Sequence, residues 1–128
     1  MDLGSIRSYC LGKAGRVTEE FPFGDDVLVF KVHGKAFLLA RLTVHPPEMN
    51  LKCDPERAVE LRDRYEDVRP GYHMNKKHWN SVVLDGTIPR GEIHAMIDHS
   101  YEQVVRGLKR KLRDTLLNSS TMQKEKAT

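Results

Sequence analysis

The chain has 128 residues, 39% of them hydrophobic, and a formal net charge of +3. One domain of this size buries about two-thirds of its unfolded surface, and the small charge excludes a protein that coats polyanions everywhere, so any polyanion contact must come from a local patch. Cys10 and Cys53 lack a CxxC partner and the longest apolar run, Ala36 to Ala40, is too short to span a bilayer, which excludes a disulfide scaffold and a membrane helix.

Met1-Asp2-Leu3-Gly4 carries neither the basic nor the apolar part of a leader, and a cytoplasmic, monomeric protein is expected. Leu3, Ile6, Cys10 and Leu11 recur at helical spacing behind Asp2, a candidate N-cap. Val17 to Phe21 reads as a short strand, and Pro22-Phe23-Gly24-Asp25-Asp26 is turn chemistry. Val27 to His33 and Ala36 to Leu42 are β-rich runs separated by Gly34-Lys35, which predicts a type II′ hairpin with Lys35 at its tip. Glu48 to Cys53 reads as a strand with Met49, Leu51 and Cys53 on one face and Asn50 and Lys52 on the other. Asp54-Pro55 caps a helix with Ala58, Leu61 and Tyr65 inward, and Arg62 and Arg64 suit the negative end of its dipole. His78 to Leu84 is the next strand, with Trp79, Ser81 and Val83 on one side. From Pro89 a long amphipathic helix runs to Gly107, followed by a frayed basic extension and a polar, disordered tail at 118–128. This order predicts an α+β domain over 1–117, with an antiparallel meander of about five strands packed by helices.

The stretch Pro70 to Asn80 stands apart chemically. It holds two histidines, two lysines, two asparagines, a tyrosine and the sole tryptophan without a carboxylate. Such a loop suits phosphate oxygens, taken by lysine and backbone N–H groups, with rings laid against bases or sugars. The candidate nucleic-acid-binding residues are Lys35, Lys52, Arg69, Tyr72, His73, Asn75, Lys76, Lys77, His78, Trp79 and Asn80. No metal or cofactor site is expected: His94 and His99 are five apart on a helix, and His73 and His78 have no neighbouring cysteine pair. Cys53-Asp54 is drawn as a structural thiol beside a helix cap and not as a nucleophile and base, so no catalytic residue is assigned.

Pro22-Phe23-Gly24, Phe30 to Lys35, Leu51 to Glu56, Tyr72-His73-Met74-Asn75-Lys76-Lys77-His78-Trp79, Leu84-Asp85-Gly86 and Ile97 to Tyr101 resemble the MmcQ/YjbR family of small bacterial proteins, over most of the chain up to Leu108. The resemblance implies a fold similar to that of the bacterial frataxin homologue CyaY, a double-wing arrangement, and a role in DNA binding. It supplies no catalytic residues. The expected function is a DNA-binding module using Arg69 to Asn80 and Lys35. The alternative is a protein-interaction or chaperone-like module that docks a partner through its sheet face or through the basic C-terminal helix bearing Leu112 and Leu116.

Overall fold

A computed structural model describes residues 2–71 and 74–127, with side chains as far as Asn118. Its elements are α1 (Leu3–Leu11), β1 (Val17–Glu20), β2 (Val27–Val32), β3 (Lys35–Arg41), β4 (Glu48–Lys52), α2 (Pro55–Arg64), β5 (Val68–Pro70), β6 (Trp79–Val83), α3 (Arg90–Val105) and α4 (Arg110–Ala127). The strands form one six-stranded antiparallel sheet in the order β1-β2-β3-β4-β6-β5. The α+β class is as the sequence predicts. The strand it does not predict is β5, three residues long and ending in proline, which a sheet accepts only at an edge such as this one.

The helix starts follow from local chemistry. The Asp2 carboxylate accepts from the Ser5 N–H at 2.8 Å, and Asp54 accepts from Glu56 and Arg57 at 3.2 and 3.3 Å, satisfying donors that the first turn of a helix leaves orphaned. The central hairpin lies one residue from its predicted register. Val32 pairs with Lys35, so the loop is His33-Gly34, with φ of 47° and 81°. Two consecutive positive values make a type I′ turn, not type II′, and they move Lys35 from the tip to the first position of β3. Histidine is uncommon in the left-handed region. Here His33 is held from both sides, its N–H donating to the Arg16 carbonyl at 2.9 Å and its Nε2 accepting from the Arg16 N–H at 3.1 Å.

A bulge sets which residues of β3 point inward. Phe30 pairs with Leu38 and Lys31 with Ala36, leaving Phe37 as the extra residue, and Phe37 and Leu38 are both fully buried. The last β3–β4 pair is Leu38 with Leu51. Beyond it, Ser100 of α3 stitches the two strands: its hydroxyl donates to the Phe37 carbonyl at 2.5 Å and accepts from the Lys52 N–H at 2.8 Å.

One face of the sheet carries the core. Phe30, Val32, Leu38, Ala40, Met49, Leu51, Val68 and Val82 pack against Ile6 and Cys10 of α1, Ala58 and Leu61 of α2, Ile93, Ile97 and Tyr101 of α3, and Leu116 of α4. All four helices therefore reach the same side. The segment expected to fray and then become a disordered tail is helical as far as Ala127. No glycine or proline follows Gly107, and Leu112, Leu116 and Leu117 anchor the helix on the core, so propensity and packing act together.

Candidate functional site

With the helices on one side, alternation sends Thr18, Glu20, Val29, Lys31, Leu39, Arg41, Glu48, Asn50, Lys52, Trp79, Ser81 and Arg69 to the other. The middle of this outer face is a groove of about 600 Å³, lined by Pro22 and Phe23 from the β1–β2 turn, Val27, Val29, Ala36, Leu39 and Asn50 from the sheet, and Met74 from the basic loop. Lys31 and Arg41 form its rim. Each rim cation holds a carboxylate, Lys31 to Glu20 at 3.4 Å and Arg41 to Glu48 at 2.9 Å. Phe23 is 71% exposed, a large apolar ring standing in solvent at the groove mouth. In the floor the Ser81 hydroxyl donates to Asn50 Oδ1 at 2.6 Å, which lets two polar side chains be buried beside aliphatic ones.

The loop is fixed to the end of this face by backbone and side-chain bonds. The Gly71 N–H donates to the Trp79 carbonyl at 2.8 Å, and a Cβ at Gly71 would lie 2.8 Å from Trp79 Cβ, so only glycine fits there. Lys76 Nζ donates to the Gly71 carbonyl at 3.1 Å, and Asn75 Oδ1 accepts from the Lys77 N–H at 3.0 Å. Arg62 clamps the whole. Its guanidinium donates to Asn80 Oδ1 at 2.7 Å, to the Trp79 carbonyl at 3.4 Å and to the Lys76 carbonyl. The sequence assigns Arg62 to the helix dipole. Its forked geometry across three acceptors of the loop is visible only once α2 and β6 are known to be neighbours.

Of the residues predicted to form the site, Lys52 and Trp79 are cross-strand partners on the outer face, both partly exposed. Lys35, Asn75, Lys76 and Lys77 are exposed, and His78 is partly exposed. β3 begins where β4 ends and β6 begins, so Lys35, Lys52, Lys76, Lys77 and Trp79 lie at one end of the sheet, but Lys35 departs from the expectation: it pairs with core-facing Val32 and so starts on the helix side, whereas Lys52 and Trp79 face outward. Among the described residues no ion pair involves these lysines. Arg69 belongs to the same face but on the far edge strand, opposite Ser81, and its charge acts on Asp67. Asn80 departs from the expectation of a groove-edge contact. It is 2% exposed and points into the helix side, where it receives Arg62 and donates to the Ala58 carbonyl at 3.4 Å. Strand alternation already places Asn80 opposite Trp79, and that is the signal against it. Tyr72 and His73 lie outside the described residues.

Titratable groups elsewhere have structural roles. Burial pushes the Cys53 thiol up to about 11 and the Cys10 thiol up to about 12, which keeps both protonated and inert. His99 is lowered by burial, and its Nε2 accepts from the Asp54 N–H at 3.1 Å, so the neutral ring helps fix the entry to α2. Tyr9 stacks on His94 with ring centres 3.9 Å apart and donates to Asp98 at 2.6 Å, while Lys13 also bonds Asp98. That cluster fastens α1 to α3, and burial together with the Asp98 carboxylate raises the Tyr9 phenol.

The fold and its open face define the class: a small α+β protein with helices on one side of an antiparallel sheet and a grooved, cation-ended surface on the other. The YjbR family model matches residues 12–103. The Escherichia coli (strain K12) protein YjbR is 37% identical over 116 residues, which cover 88% of this chain and 97% of that protein. YbdF of Escherichia coli O157:H7 is 41% identical over 88 residues, covering 69% of this chain and 72% of YbdF. The crystal structure of the Deinococcus radiodurans protein DR2400, domain DUF419, superposes with a TM-score of 0.81 at 39% identity, covering 89% of this chain and 86% of that one. A Pseudomonas syringae crystal structure superposes with a TM-score of 0.70 at 26% identity, covering 81% of this chain and 99% of the other. The chain belongs to the YjbR family.

Proposed function

We propose that the chain is a cytoplasmic nucleic-acid-binding module, with DNA as the ligand. The observation that carries this reading is the pairing of Lys52 with Trp79 on the open face at one end of the sheet, with Lys77 two residues ahead of Trp79 in the chain and both lysines outside every ion pair among the described residues. Cations outside ion pairs next to a partly exposed ring suit a phosphate backbone with its bases or sugars. Lys76 contributes less, because its ammonium already bonds the Gly71 carbonyl. Arg69, opposite Ser81 on the far edge strand, lies at the margin.

The reading is tested by fluorescence anisotropy of labelled DNA over a salt series. If about three to five phosphates are contacted, log affinity falls against log salt with a slope of about 0.9 per contact. The double variant Lys52→Glu, Lys77→Glu loses binding at an unchanged melting temperature. A flat salt dependence, or a double variant that binds as the parent does, overturns the reading.

A second reading, docking of a polypeptide partner on the sheet face, is favoured by the exposed Phe23 ring over an apolar groove. Its version through the C-terminal helix loses its surface, since Leu116 is 4% exposed and Leu112 packs on the core.

A further inference from the structure

Resting on the nucleic-acid reading, we infer that the ligand is a single strand whose bases lie in the outer-face groove between Phe23 and Met74 while its phosphates run along the lysine-bearing end of the sheet. The argument begins with shape. Base edges of a duplex are read by a convex element that enters a groove, the major groove being about 12 Å wide. The outer face here is a trough, walled by the Pro22-Phe23 turn on one side and the loop bearing Met74 on the other. A duplex rests on such walls without giving a base to the floor. An unpaired strand turns its bases inward.

Chemistry supports the same ligand. The groove offers an unstacked base apolar walls at Pro22, Val27, Ala36 and Met74 and a free-standing ring at Phe23, over a closed floor in which Val29 and Leu39 are buried and Asn50 is held by Ser81. Adjacent strands are spaced by about 4.8 Å and residues by about 3.3 Å, so the Val27 end of β2, beside Phe23, and Trp79 of β6 lie roughly 20 Å apart at opposite corners of the face. That span holds a few nucleotides between two rings, in the manner of stacking platforms on other sheets. Charge fixes the orientation. Lys31 and Arg41 are tied to Glu20 and Glu48 at the groove rim, whereas Lys52 and Lys77 at the sheet end are outside the ion pairs of the described residues. Phosphates therefore belong at the end and bases over the floor.

The test uses the full chain with a short labelled oligothymidylate, a labelled duplex of the same length and a permanently unfolded polypeptide as probes. The single strand binds more tightly than the duplex and quenches the fluorescence of Trp79, the sole tryptophan. Phe23→Ala, at a site already in solvent, weakens single-strand binding on the order of tenfold, as expected for one lost stack. It leaves the melting temperature unchanged. Duplex binding equal to or tighter than single-strand binding, with Phe23→Ala silent, overturns this inference and leaves the nucleic-acid reading standing. No binding of either oligonucleotide overturns both, and saturable capture of the unfolded polypeptide that Phe23→Ala abolishes would then assign the groove to a protein partner.

Discussion

Replacing Arg62 separates two accounts of the loop. If the residue acts only as a cation near the C-terminus of α2, Arg62→Lys keeps nearly all of its effect, at most about 1 kcal/mol at a surface position. The geometry says otherwise. The guanidinium reaches Asn80 Oδ1 at 2.7 Å, the Trp79 carbonyl at 3.4 Å and the Lys76 carbonyl. Asn80 is 2% exposed, so its amide oxygen has no access to water once the donor is gone. A hydrogen bond from a charged group contributes about 1.5–3 kcal/mol. The Lys76 carbonyl belongs to an exposed residue and is rehydrated, and the 3.4 Å contact to Trp79 is long, so the Asn80 bond dominates. Arg62→Met should therefore cost about 2–3 kcal/mol, a fall in Tm on the order of 10 °C for a chain of this length. Arg62→Lys should lose more than half as much, because one ammonium does not span acceptors on two segments. Urea titration followed by Trp79 fluorescence measures both variants and also reports the ring beside the clamp. An Arg62→Lys chain within about 0.5 kcal/mol of the parent would refute the clamp and restore the dipole account.

Two further outcomes follow from buried polar contacts. Ser100→Ala leaves the Phe37 carbonyl and the Lys52 N–H without their shared partner at a bulge where the ladder has ended, at a fully buried position. The cost should be about 2–4 kcal/mol with an unchanged urea m-value, and a loss below about 0.5 kcal/mol would show that the strands close the gap themselves. His99 gives a pH dependence of known sign. Its folded-state value is lowered, chiefly by burial, so as pH falls the unfolded chain takes up the proton first. The stability it contributes is fully present above the ordinary histidine value of about 6.5 and is lost as pH falls through the lowered folded value. His94 is lowered by burial as well and acts in the same direction. Thermal unfolding across this range should show a shallower loss for His99→Gln than for the parent; parallel curves would remove His99 from the account.

Much of the scaffold is legible in the residues. Asp2 and Asp54 announce helix starts, and the alternation of Met49, Leu51 and Cys53 gives the inner face of β4. The hairpin shows where such reading ends. Gly34-Lys35 suggests a glycine-first turn, yet a bulge at Phe37 and the bonds between Arg16 and His33 select His33-Gly34 instead, and neither is a property of the turn residues themselves. The site is legible in the same partial way. The unusual composition of Pro70 to Asn80 marks the loop, and alternation puts Lys52 and Trp79 outward on their own strands. That these two are cross-strand partners requires β6 to insert next to β4, a pairing across more than twenty intervening residues. The groove is less visible still, since Phe23, Leu39 and Met74 meet only through the tertiary fold.

One row across the sheet shows what the open face is suited to. Following the register from β1 to β5, it reads Glu20, Val29, Leu39, Asn50, Ser81, Arg69. A face lying under a helix would bury Glu20 and Arg69 at heavy desolvation cost unless both were paired. A face that only meets water gains nothing from aliphatic residues as enclosed as Val29 and Leu39, at 1% and 8% exposure. An apolar centre with charged ends is instead the composition of surfaces that exchange water for a ligand, where the centre supplies area and the rim sets orientation. Placing the lysines at the strand ends keeps their charge out of that centre. On the nucleic-acid reading proposed above, the sheet would hold the apolar faces of the ligand and its anions without burying a cation.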